Sequence, residues 1–562
     1  MNSSSESSSA KRIVIIGAVA AGTSAAAKAR RNDETAEIII YDADRYISYS
    51  GCGLPYYIGG IVDDIRKLTP RDPAFFRKKY RIEVKIAHRV ESFDPERKIL
   101  TVRNLESNEI FTDNYDILVL ATGANPIRLP VPGADLPHVF TLRNPADAIA
   151  IRRFIEENKP KTAAIIGSGF IGLEVADNLS LRGIGITVIE KLPDICPILD
   201  PDMAVHLEKH LKSEGVRIRT GITAKNIGRS EVILSDGESI PADMVILSVG
   251  ARPNVTLAQN AGVKIGPTGA ISVDDRQRTN IQDVFACGDC AENFFTLSGK
   301  PFYRPLGSTA NKTGRITGDV ITGGDFYHRG VLGTGIFETF GMAVAGTGLT
   351  EKDARNQGFD TITVHNIKTD RPEYMGGKEM IIKAIADRKS HTLLGVQIVG
   401  FDGVDKRMDV FVTAMTARMT AEDLVHLDLS YAPPFSNTKD PVMYTGMILE
   451  NELDRGRALI RNEELAQNID NYTVIDTRSR EQYQTGHVPD ACNIPHENLR
   501  DEICVLDPEK PVVTYCNKGG TGNAAQNILL NRGFSKVYNL SGGYSQYRAQ
   551  QKIDSEEMKN DD

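Results

Sequence analysis

The sequence pattern that most constrains the fold is a strand, a glycine-rich turn and a helix, which occurs twice. In the second copy, a predicted strand at 163–166 leads into Gly167-Ser-Gly169-Phe-Ile-Gly172, and the next predicted strand ends at Glu190. The first turn of a helix offers free N–H groups to a pyrophosphate, and an acidic residue after the second strand accepts hydrogen bonds from a ribose. A 2′-phosphate would be repelled there, so this copy predicts binding of NADH, with NADPH less favoured.

The first copy begins 150 residues earlier and has one departure from the pattern. Strand Arg12–Ile16 is followed by Gly17-Ala-Val19-Ala-Ala-Gly22, and the next strand ends at Asp42. Val19 replaces the middle glycine, at which the backbone approaches the phosphates most closely. The two copies together predict two Rossmann-like nucleotide-binding domains. The alternative for each copy is a glycine-rich turn without a ligand.

Length, charge and cysteine content narrow the class of protein. A chain of 562 residues corresponds to about three to five domains. The net charge of −8 argues against nucleic-acid binding, and no apolar run is long enough to predict a membrane span. Residues 1–10 lack the apolar stretch of a secretory signal; these residues and 551–562 are expected to be disordered. Scattered cysteines favour a reducing cytoplasm over a disulfide framework and predict no metal site: Cys52, Cys196, Cys287, Cys290, Cys492, Cys504 and Cys516.

Two further segments follow buried strands and indicate the kind of nucleotide protein. Ile117–Leu120 leads into Ala121-Thr122-Gly123, and Val284–Ala286 leads into Cys287-Gly-Asp289. Here the sequence resembles the flavoprotein disulfide reductases with two dinucleotide folds. The resemblance implies that the first fold binds FAD, that Thr122 and Gly123 close the flavin domain, and that Asp289 binds the ribityl chain. We expect the cysteines flanking Asp289 to be packing residues.

The stretch Ser48-Tyr-Ser-Gly51-Cys52-Gly-Leu-Pro-Tyr-Tyr-Ile-Gly contains the candidate redox residue. Most reductases of this superfamily have two cysteines about four residues apart, whereas the next cysteine after Cys52 is Cys196. Cys52 is therefore expected to pair with an external thiol or to be oxidised to a sulfenic acid. A buried structural cysteine is the alternative.

This stretch and the first glycine motif resemble the single-cysteine coenzyme A disulfide reductases and their persulfide-reducing relatives, over about residues 11–450. That subfamily also has valine in place of the middle glycine. Its Ala-Asn before the cysteine is Ser50-Gly51 here, and a family histidine is replaced by Asn311. The resemblance implies that Arg30 and Arg31 meet the phosphates of coenzyme A, unless they form a solvated helix end. The other implied substrate positions are Ser24, Lys28, Arg31, Ser48, Gly51 and Asn311.

The segment Tyr431-Ala-Pro-Pro-Phe-Ser-Asn-Thr-Lys439 resembles the part of the family's dimerisation domain that reaches into the partner's active site. The resemblance implies a homodimer in which Tyr431 and Lys439 act across the interface. Tyr374 is a further candidate for an active-site tyrosine. The alternative for either tyrosine is a core aromatic with a satisfied hydroxyl group.

The C-terminal part begins a separate domain after a predicted helical linker. Strand Val512–Tyr515 leads into the loop Cys516-Asn-Lys-Gly-Gly-Thr521-Gly and a predicted helix at 523–532. A cysteine between a strand and a helix N-terminus faces free N–H groups, which stabilise a bound persulfide anion. This part resembles a rhodanese domain with Cys516 as the persulfide carrier. Thr521 stands where many rhodaneses have arginine, so thiosulfate preference is not inferred. An inactive docking domain is the alternative.

Together these features predict an α/β fold with two Rossmann-like domains arranged as in glutathione reductase, an α+β dimerisation domain and an α/β rhodanese domain. The predicted boundaries are 11–147 with 272–330 for FAD, 148–271 for NADH, 331–450 for dimerisation, 451–465 for the linker and 466–550 for rhodanese. The predicted reaction is NADH-dependent reduction of coenzyme A persulfide, polysulfide or coenzyme A disulfide at Cys52. The alternatives are an NADH oxidase using a Cys52 sulfenic acid and a non-enzymatic redox-sensing scaffold.

Overall fold

The computed structural model describes residues 10–557. The chain forms two compact units. The first unit contains the residues up to Pro193 and Val216–Gly333, and the second contains Asp194–Gly215 and the chain from Thr334 onward. Within the described residues, no helix is both long enough and apolar enough to cross a bilayer.

The first unit contains a parallel sheet that begins with the N-terminal strand. Its strand order is Val284–Ala286, Ile117–Leu120, Arg12–Ile16, Glu37–Tyr41 and Glu83–Lys85. Branched apolar side chains fill both faces of this sheet, which explains the continuous apolar runs. Helices Ala20–Asn32 and Gly307–Val320 pack very closely, which is possible because Gly314 has no Cβ. A Cβ there would collide with the carbonyl of Ala21.

A second parallel sheet in the same unit carries the second glycine turn. Its strand order is Arg217–Arg219, Gly185–Ile189, Thr162–Ile166, Met244–Leu247 and Val139–Phe140. Its helices are Pro145–Asn158 and Phe170–Ser180. The two predicted dinucleotide folds are therefore both present.

Shorter elements complete the first unit. The antiparallel sheets contain His88–Asp94, Ile99–Asn104 and Ile110–Asn114; Ala224–Ile227, Glu231–Leu234 and Ser239–Pro241; Ala124–Pro126 and Ala251–Pro253; and Asn293–Phe294 and Pro301–Phe302. The remaining helices and 3₁₀ turns are Gly51–Gly53, Leu54–Gly59, Ile65–Lys67, Pro73–Tyr80, Thr256–Asn260 and Gly288–Cys290.

The second unit begins with an antiparallel sheet. Its strand order is Gly335–Thr339, Met342–Gly348, Leu393–Gly400, Glu379–Asp387 and Thr361–Thr369. The helices and 3₁₀ turn grouped with it are Pro201–Ser213, Glu351–Asn356, Glu373–Met375, Val404–Thr416, Ala421–Val425 and Pro441–Leu453. Helix Pro201–Ser213 falls within the range predicted for the NADH domain, yet it belongs to this unit.

The C-terminal domain of the second unit is built on a parallel sheet. Its strand order is Leu459–Ile460, Val537–Leu540, Val512–Tyr515, Thr473–Asp476 and Cys492–Asn493. Its helices and 3₁₀ turns are Asn462–Gln467, Ile469–Asn471, Arg480–Gln484, Leu499–Glu502, Ile503–Val505, Gly520–Asn531 and Gly543–Glu557.

The structure differs from the predicted linker and tails. Leu459–Ile460 lies within the predicted linker but pairs with Val537–Leu540, so the C-terminal sheet starts before residue 466. The helix ending at Glu557 includes part of the predicted disordered tail, and residues 558–562 lie outside the described chain. The predicted disorder of residues 1–9 also lies outside it.

Candidate active site

The first glycine turn joins Arg12–Ile16 to a helix whose N-terminus is open. Gly17 has φ +112°, and a Cβ there would collide with the carbonyl of Ala121. Residue Val19 precedes the helix and makes no side-chain cap among the described residues. The N–H groups of this helix end are therefore available to a phosphate group.

Asp42 lies across this turn from the helix. Its carboxylate accepts hydrogen bonds from Ala18 N–H at 2.6 Å and Asp44 N–H at 2.8 Å. Burial raises the pKa of Asp42 to about 6. The acidic residue thus lies beside the first turn, as the motif predicts, and its oxygens have capacity for a further donor.

The segments with Thr122 and Asp289 follow two further strands of the first parallel sheet. Thr122 and Asn254 bond each other: Thr122 Oγ1 donates to the Asn254 carbonyl at 2.7 Å, and Asn254 Nδ2 donates to the Thr122 carbonyl at 2.9 Å. Gly123 follows with φ +69°. The Asp289 carboxylate has no hydrogen-bond partner among the described residues, although Arg143 exerts a favourable charge on it. Such a carboxylate suits a hydroxyl-rich ligand.

The cysteines on either side of Asp289 are fully buried, and their thiols lie in different cores. Cys287 packs in the cluster on one face of the first sheet and Cys290 in the cluster on the other. Cys290 Sγ donates to the Leu120 carbonyl at 3.4 Å. These contacts support packing roles for both residues.

Cys52 lies in the 3₁₀ turn Gly51–Gly53, which leads into helix Leu54–Gly59. It is an exposed, free thiol. The protein around it partly desolvates the sulfur and raises the pKa of Cys52; the charges of Glu174 and Asp289 raise it further. Cys52 therefore shares an electrostatic environment with the residue predicted to hold the flavin.

Glu174 is a site residue that the sequence analysis did not single out. It lies on helix Phe170–Ser180, and Tyr56 Oη donates to its Oε1 at 3.5 Å. Burial raises the pKa of Glu174 to about 7. Glu174 follows the last glycine of the second motif by two residues, but nothing in that spacing predicts its approach to Cys52.

The second glycine turn has the open geometry that a dinucleotide requires. Gly167 has φ +102°, and a Cβ at Gly169 would meet no atom within 4 Å. A Cβ at Gly172 would instead collide with the Gly167 carbonyl, so this glycine permits close packing of helix and strand. No side chain caps this helix among the described residues.

Glu190 is buried at the end of the second strand of this fold. Its carboxylate accepts from Ser168 N–H at 2.9 Å, Ser168 Oγ at 2.6 Å and Leu192 N–H at 2.9 Å. The chain's own groups therefore fix its position next to the turn. Two carboxylate oxygens can accept about four hydrogen bonds, which leaves capacity for a ribose hydroxyl.

The predicted substrate residues on helix Ala20–Asn32 have different environments. Ser24 Oγ donates to Asn311 Oδ1 at 2.7 Å, so these two positions meet. Lys28 forms an ion pair with Asp319 at 3.0 Å. Arg31 is exposed, and its guanidinium lies 5.9 Å from the centre of the Tyr80 ring.

The expectation that Arg30 contacts a phosphate is wrong. Arg30 is buried, and its guanidinium donates to the carbonyls of Tyr80 at 2.8 Å, Asp33 at 2.9 Å and Ala36 at 2.7 Å. A guanidinium that donates hydrogen bonds to these backbone carbonyls stabilises the end of the helix and is not available to a ligand.

The region before Cys52 has unusual backbone and open space. Ser48 has φ +47°, a conformation that few non-glycine residues adopt. Arg71 Nη1 lies 3.5 Å from Ser48 Oγ. A Cβ at Gly51 would make only an ordinary contact, at 3.7 Å from the Tyr49 ring. The segment thus leaves room at Gly51, the residue before Cys52.

Tyr374, Tyr431 and Lys439 belong to the second unit. Tyr374 is 76% exposed and Tyr431 is 47% exposed. This exposure removes the alternative that either residue is a core aromatic with a buried hydroxyl group.

Cys516 directly follows strand Val512–Tyr515 and precedes helix Gly520–Asn531. Gly519 has φ +92°, and no side chain caps the helix among the described residues. The carbonyl of Cys516 accepts from Tyr544 N–H at 2.8 Å. A persulfide on this cysteine would therefore lie next to a turn and an uncapped helix end.

A buried ion pair between Arg478 and Asp476 lies near the Cys516 loop. Arg478 Nη2 lies 2.6 Å from Asp476 Oδ2 and donates to the Gly486 carbonyl at 2.7 Å. Tyr515 Oη donates to the same Asp476 oxygen at 2.7 Å. Asp476 and Arg478 thus form a buried ion pair that holds the hydroxyl group of Tyr515, the residue before Cys516.

Comparisons with known proteins agree with this architecture. The family described as pyridine nucleotide-disulphide oxidoreductase matches residues 11–311, its dimerisation domain matches 337–441, and the rhodanese-like domain matches 461–550.

The chain is 35% identical over 424 residues to an NAD(P)H sulfur oxidoreductase (CoA-dependent) of Pyrococcus furiosus, covering 74% of this chain and 93% of the relative. It is 35% identical over 421 residues to an NADH oxidase of Methanocaldococcus jannaschii, covering 74% of this chain and 93% of that relative. The structure of an NAD-dependent persulfide reductase from A. fulgidus superposes with a TM-score of 0.90 at 36% identity, covering 95% of this chain and 100% of that one.

Proposed function

Because the chain belongs to the pyridine nucleotide-disulphide oxidoreductase family and also carries a rhodanese-like domain, we propose that it reduces coenzyme A persulfide, polysulfide or coenzyme A disulfide with NADH. The observation that carries this proposal is the exposed, free thiol of Cys52, whose pKa is raised by burial and by the charges of Glu174 and Asp289.

The proposal requires FAD in the first fold and NADH in the second. The residues that would hold FAD are Gly17, Val19, Gly22, Asp42, Thr122, Gly123 and Asp289. Those that would hold NADH are Gly167, Gly169, Gly172 and Glu190. The open helix N-termini fit these ligands, as does the carboxylate of Asp289, which no residue in the described part of the chain hydrogen-bonds. Bound FAD supplies the route by which hydride from NADH becomes an electron pair for sulfur.

The role of Cys52 is nucleophilic. Its thiolate attacks the inner sulfur of coenzyme A persulfide, the S–S bond of the persulfide breaks, and HS⁻ leaves. A mixed disulfide between Cys52 and coenzyme A results. Two electrons then cleave this disulfide and return both sulfurs to thiolates. Thiolates with a pKa near ~8.5 are competent leaving groups.

Exposed cations beside the first fold support coenzyme A as the thiol. Arg71 lies over the Phe75 ring at 5.7 Å, and Lys79 lies over the rings of Phe75 at 5.4 Å and Tyr80 at 5.3 Å. The Arg31 guanidinium also lies near Tyr80, at 5.9 Å from the centre of its ring. A cluster of cations and aromatic faces suits a ligand with phosphates and an adenine ring.

The fused domain favours a persulfide over a plain disulfide as the substrate. Reduction of a disulfide gives no role to Cys516. A persulfide substrate, in contrast, can load or unload its sulfane sulfur there, and covalent linkage raises the effective concentration of the two sites. We further propose a homodimer in which the exposed residues Tyr374, Tyr431 and Lys439 serve the partner's site.

The similarity to an NADH oxidase makes oxygen reduction through a Cys52 sulfenic acid the second candidate. The deciding experiment follows NADH oxidation without oxygen in the presence of coenzyme A persulfide, coenzyme A disulfide, glutathione persulfide or polysulfide, in parallel assays. The proposal predicts fastest turnover and stoichiometric sulfide release with coenzyme A persulfide. The proposal would be contradicted if NADH were oxidised only when oxygen is present and none of the four sulfur compounds increased the rate of oxidation.

A further inference from the structure

An ion pair joins the Cys516 loop to the antiparallel sheet of the second unit. Lys518, two residues after Cys516, pairs with Glu379, the first residue of strand Glu379–Asp387. The side chains of Lys518 and Glu379 are 40% and 43% exposed, so an ion in solution can approach the pair. A residue outside the rhodanese-like domain therefore places a negative charge beside the loop of the candidate sulfur carrier.

Lys518 is the only lysine, arginine, aspartate or glutamate in the loop at 516–522; the other residues are cysteine, asparagine, threonine and glycine. Two residues of extended chain span at most roughly 7 Å, which limits the separation of the Lys518 and Cys516 backbones. Electrostatic interactions in water persist over about 8 Å at physiological salt. The charge state of Lys518 therefore influences which anions approach the sulfur of Cys516.

A second cation, Arg478, contacts the loop and is also neutralised. Arg478 Nη1 lies 3.5 Å from Asn517 Oδ1, whereas its Nη2 pairs with Asp476 Oδ2 at 2.6 Å. The Lys518 charge is compensated by Glu379 in the same way. The loop thus offers a sulfur donor its backbone N–H groups, while the cation that it carries already has a carboxylate partner.

Contacts other than the ion pair hold the loop against the sheet. Tyr544 N–H donates to the Cys516 carbonyl at 2.8 Å. On the same helix as Tyr544, Gln546 Nε2 donates to the carbonyl of Asp202 at 2.7 Å. Asp202 belongs to helix Pro201–Ser213, which packs on the antiparallel sheet. Because half-exposed ion pairs contribute little to stability, the charge of the carboxylate on the sheet can be removed without detaching the loop.

We propose that Glu379 determines the specificity of the sulfur-transfer site at Cys516. By neutralising Lys518, it disfavours donors that carry negative charge next to the transferred sulfur, such as thiosulfate. Persulfides whose organic part is uncharged lose no such attraction and are favoured in comparison. This inference rests on the proposed role of Cys516 as a sulfur carrier.

The sulfur transfer is balanced for both kinds of donor. The Cys516 thiolate attacks the outer sulfur of thiosulfate, an S–S bond to Cys516 forms, the S–S bond of thiosulfate breaks, and sulfite leaves with the electron pair. With a persulfide RS–SH, the same attack releases RS⁻, which takes up the proton of the new persulfide. Cyanide then attacks the outer sulfur on Cys516 and leaves as thiocyanate, which restores the thiolate. No external oxidant or reductant is needed.

The test measures thiocyanate formation from thiosulfate or from 2-hydroxyethyl persulfide, using the full-length FAD-containing protein without NADH. The rate given by Cys516→Ser is subtracted. The readout is the ratio of kcat/KM for thiosulfate to kcat/KM for the persulfide. The variants are Glu379→Gln, Lys518→Met and the double variant. The matched control is Glu338→Gln, which changes an exposed carboxylate on strand Gly335–Thr339 of the same sheet.

We expect Glu379→Gln to raise this ratio about fivefold, because the Lys518 charge then attracts thiosulfate without compensation. Lys518→Met leaves the Glu379 charge uncompensated and should lower the ratio by a similar factor. The double variant lacks both charges, so its ratio should lie within about twofold of the parental ratio. Each change should shrink as the ionic strength rises from about 0.01 M to about 1 M. Glu338→Gln should keep the parental ratio.

An unchanged or lower ratio in Glu379→Gln, or an equal rise in Glu338→Gln, overturns the proposal. A rise that does not depend on ionic strength also overturns it, since such a rise indicates an altered loop structure. Transfer by Cys516→Ser at the parental rate would instead contradict the sulfur-carrying role within the proposed function. Because the assay omits NADH, failure of the reductase activity would not alter its readout.

Discussion

Ser541 and His365 form two contacts that join the C-terminal domain to the antiparallel sheet. His365 N–H donates to Ser541 Oγ at 3.1 Å, and the same oxygen lies 3.0 Å from His365 Nδ1. His365 Nε2 lies 2.9 Å from Asp202 Oδ2. The carboxylate requires a proton on Nε2, so in the neutral ring Nδ1 accepts from the Ser541 hydroxyl. Ser541 directly precedes Gly542 and Gly543, and Gly543 packs against the Cys516 carbonyl.

Lys383 lies at the centre of the charges behind this contact. Its Nζ is 2.8 Å from Asp202, 3.1 Å from Asp200 and 3.0 Å from Glu351, and all four side chains are nearly buried. Arg461 of the C-terminal domain also pairs with Glu351, at 2.8 Å. These ion pairs connect the helix, the sheet and the C-terminal domain of the second unit.

Replacing the central cation should therefore destabilise the second unit strongly. Lys383→Met leaves three buried carboxylates with too little compensating charge, which costs about 3–5 kcal/mol. We expect a lower midpoint of thermal unfolding by calorimetry. The control Lys389→Met changes an exposed lysine after the same strand and should leave the midpoint nearly unchanged. Equal midpoints for the two variants would show that the buried charges contribute little.

The sequence predicted strands of the parallel sheets well because local patterns determine them. Arg12–Ile16, Ile117–Leu120, Val284–Ala286 and Val512–Tyr515 have the predicted bounds, since buried parallel strands appear as branched apolar runs between turns.

What the sequence could not predict depends on contacts between distant residues. Arg30 has the pattern of a solvated helix end, yet backbone carbonyls surround its guanidinium. Glu174 approaches Cys52 only through packing of separate helices. Leu459–Ile460 is too short for a strand pattern and is defined by its partner strand.

Glu174 should control the ionisation of Cys52. Burial raises the pKa of Glu174 to about 7, so it is largely charged only above that pH, and its charge then raises the pKa of Cys52. Glu174→Gln removes this charge. We expect the pH midpoint for alkylation of Cys52 by iodoacetamide, followed by mass spectrometry, to move to lower pH.

The same change should alter stability in a pH-dependent way. The folded pKa of Glu174 lies above the unfolded value of about 4.3, so ionising it costs stability as pH rises through this range. Glu174→Gln should stabilise the protein at pH 8 more than at pH 5. The control Glu96→Gln removes an exposed carboxylate and should change neither the pH midpoint of Cys52 alkylation nor the stability at either pH. A rise in the Cys52 midpoint would contradict the assigned electrostatic role.

Glu190 should determine the choice of nicotinamide cofactor. Glu190→Gln keeps the size of the side chain but removes the charge that would repel a 2′-phosphate. We expect the ratio of kcat/KM for NADPH to that for NADH to rise about tenfold, mainly through KM. Steady-state kinetics with both cofactors measure this ratio. An unchanged ratio would show that Glu190 supports the turn through Ser168 and Leu192 without contacting the ribose.

Cys516 and Cys52 should be separable in function. Cys516→Ser is expected to abolish sulfur transfer to cyanide but to spare NADH-dependent reduction of small persulfides at Cys52. Cys492→Ser changes a second free cysteine of the same domain, which is exposed whereas Cys516 is buried, and provides the control. Loss of both activities in Cys516→Ser would show that the two cysteines act only in series.

The most direct measurement is sulfide release from coenzyme A persulfide by NADH without oxygen, comparing the parental protein with Cys52→Ser at equal FAD content. Because Cys52 is an exposed thiol whose pKa is raised by the charge of Asp289, the variant should release no sulfide above the uncatalysed rate. Cys492→Ser should match the parental rate. Sulfide release by Cys52→Ser at the parental rate would contradict the central claim that electrons from NADH reach the substrate through this sulfur.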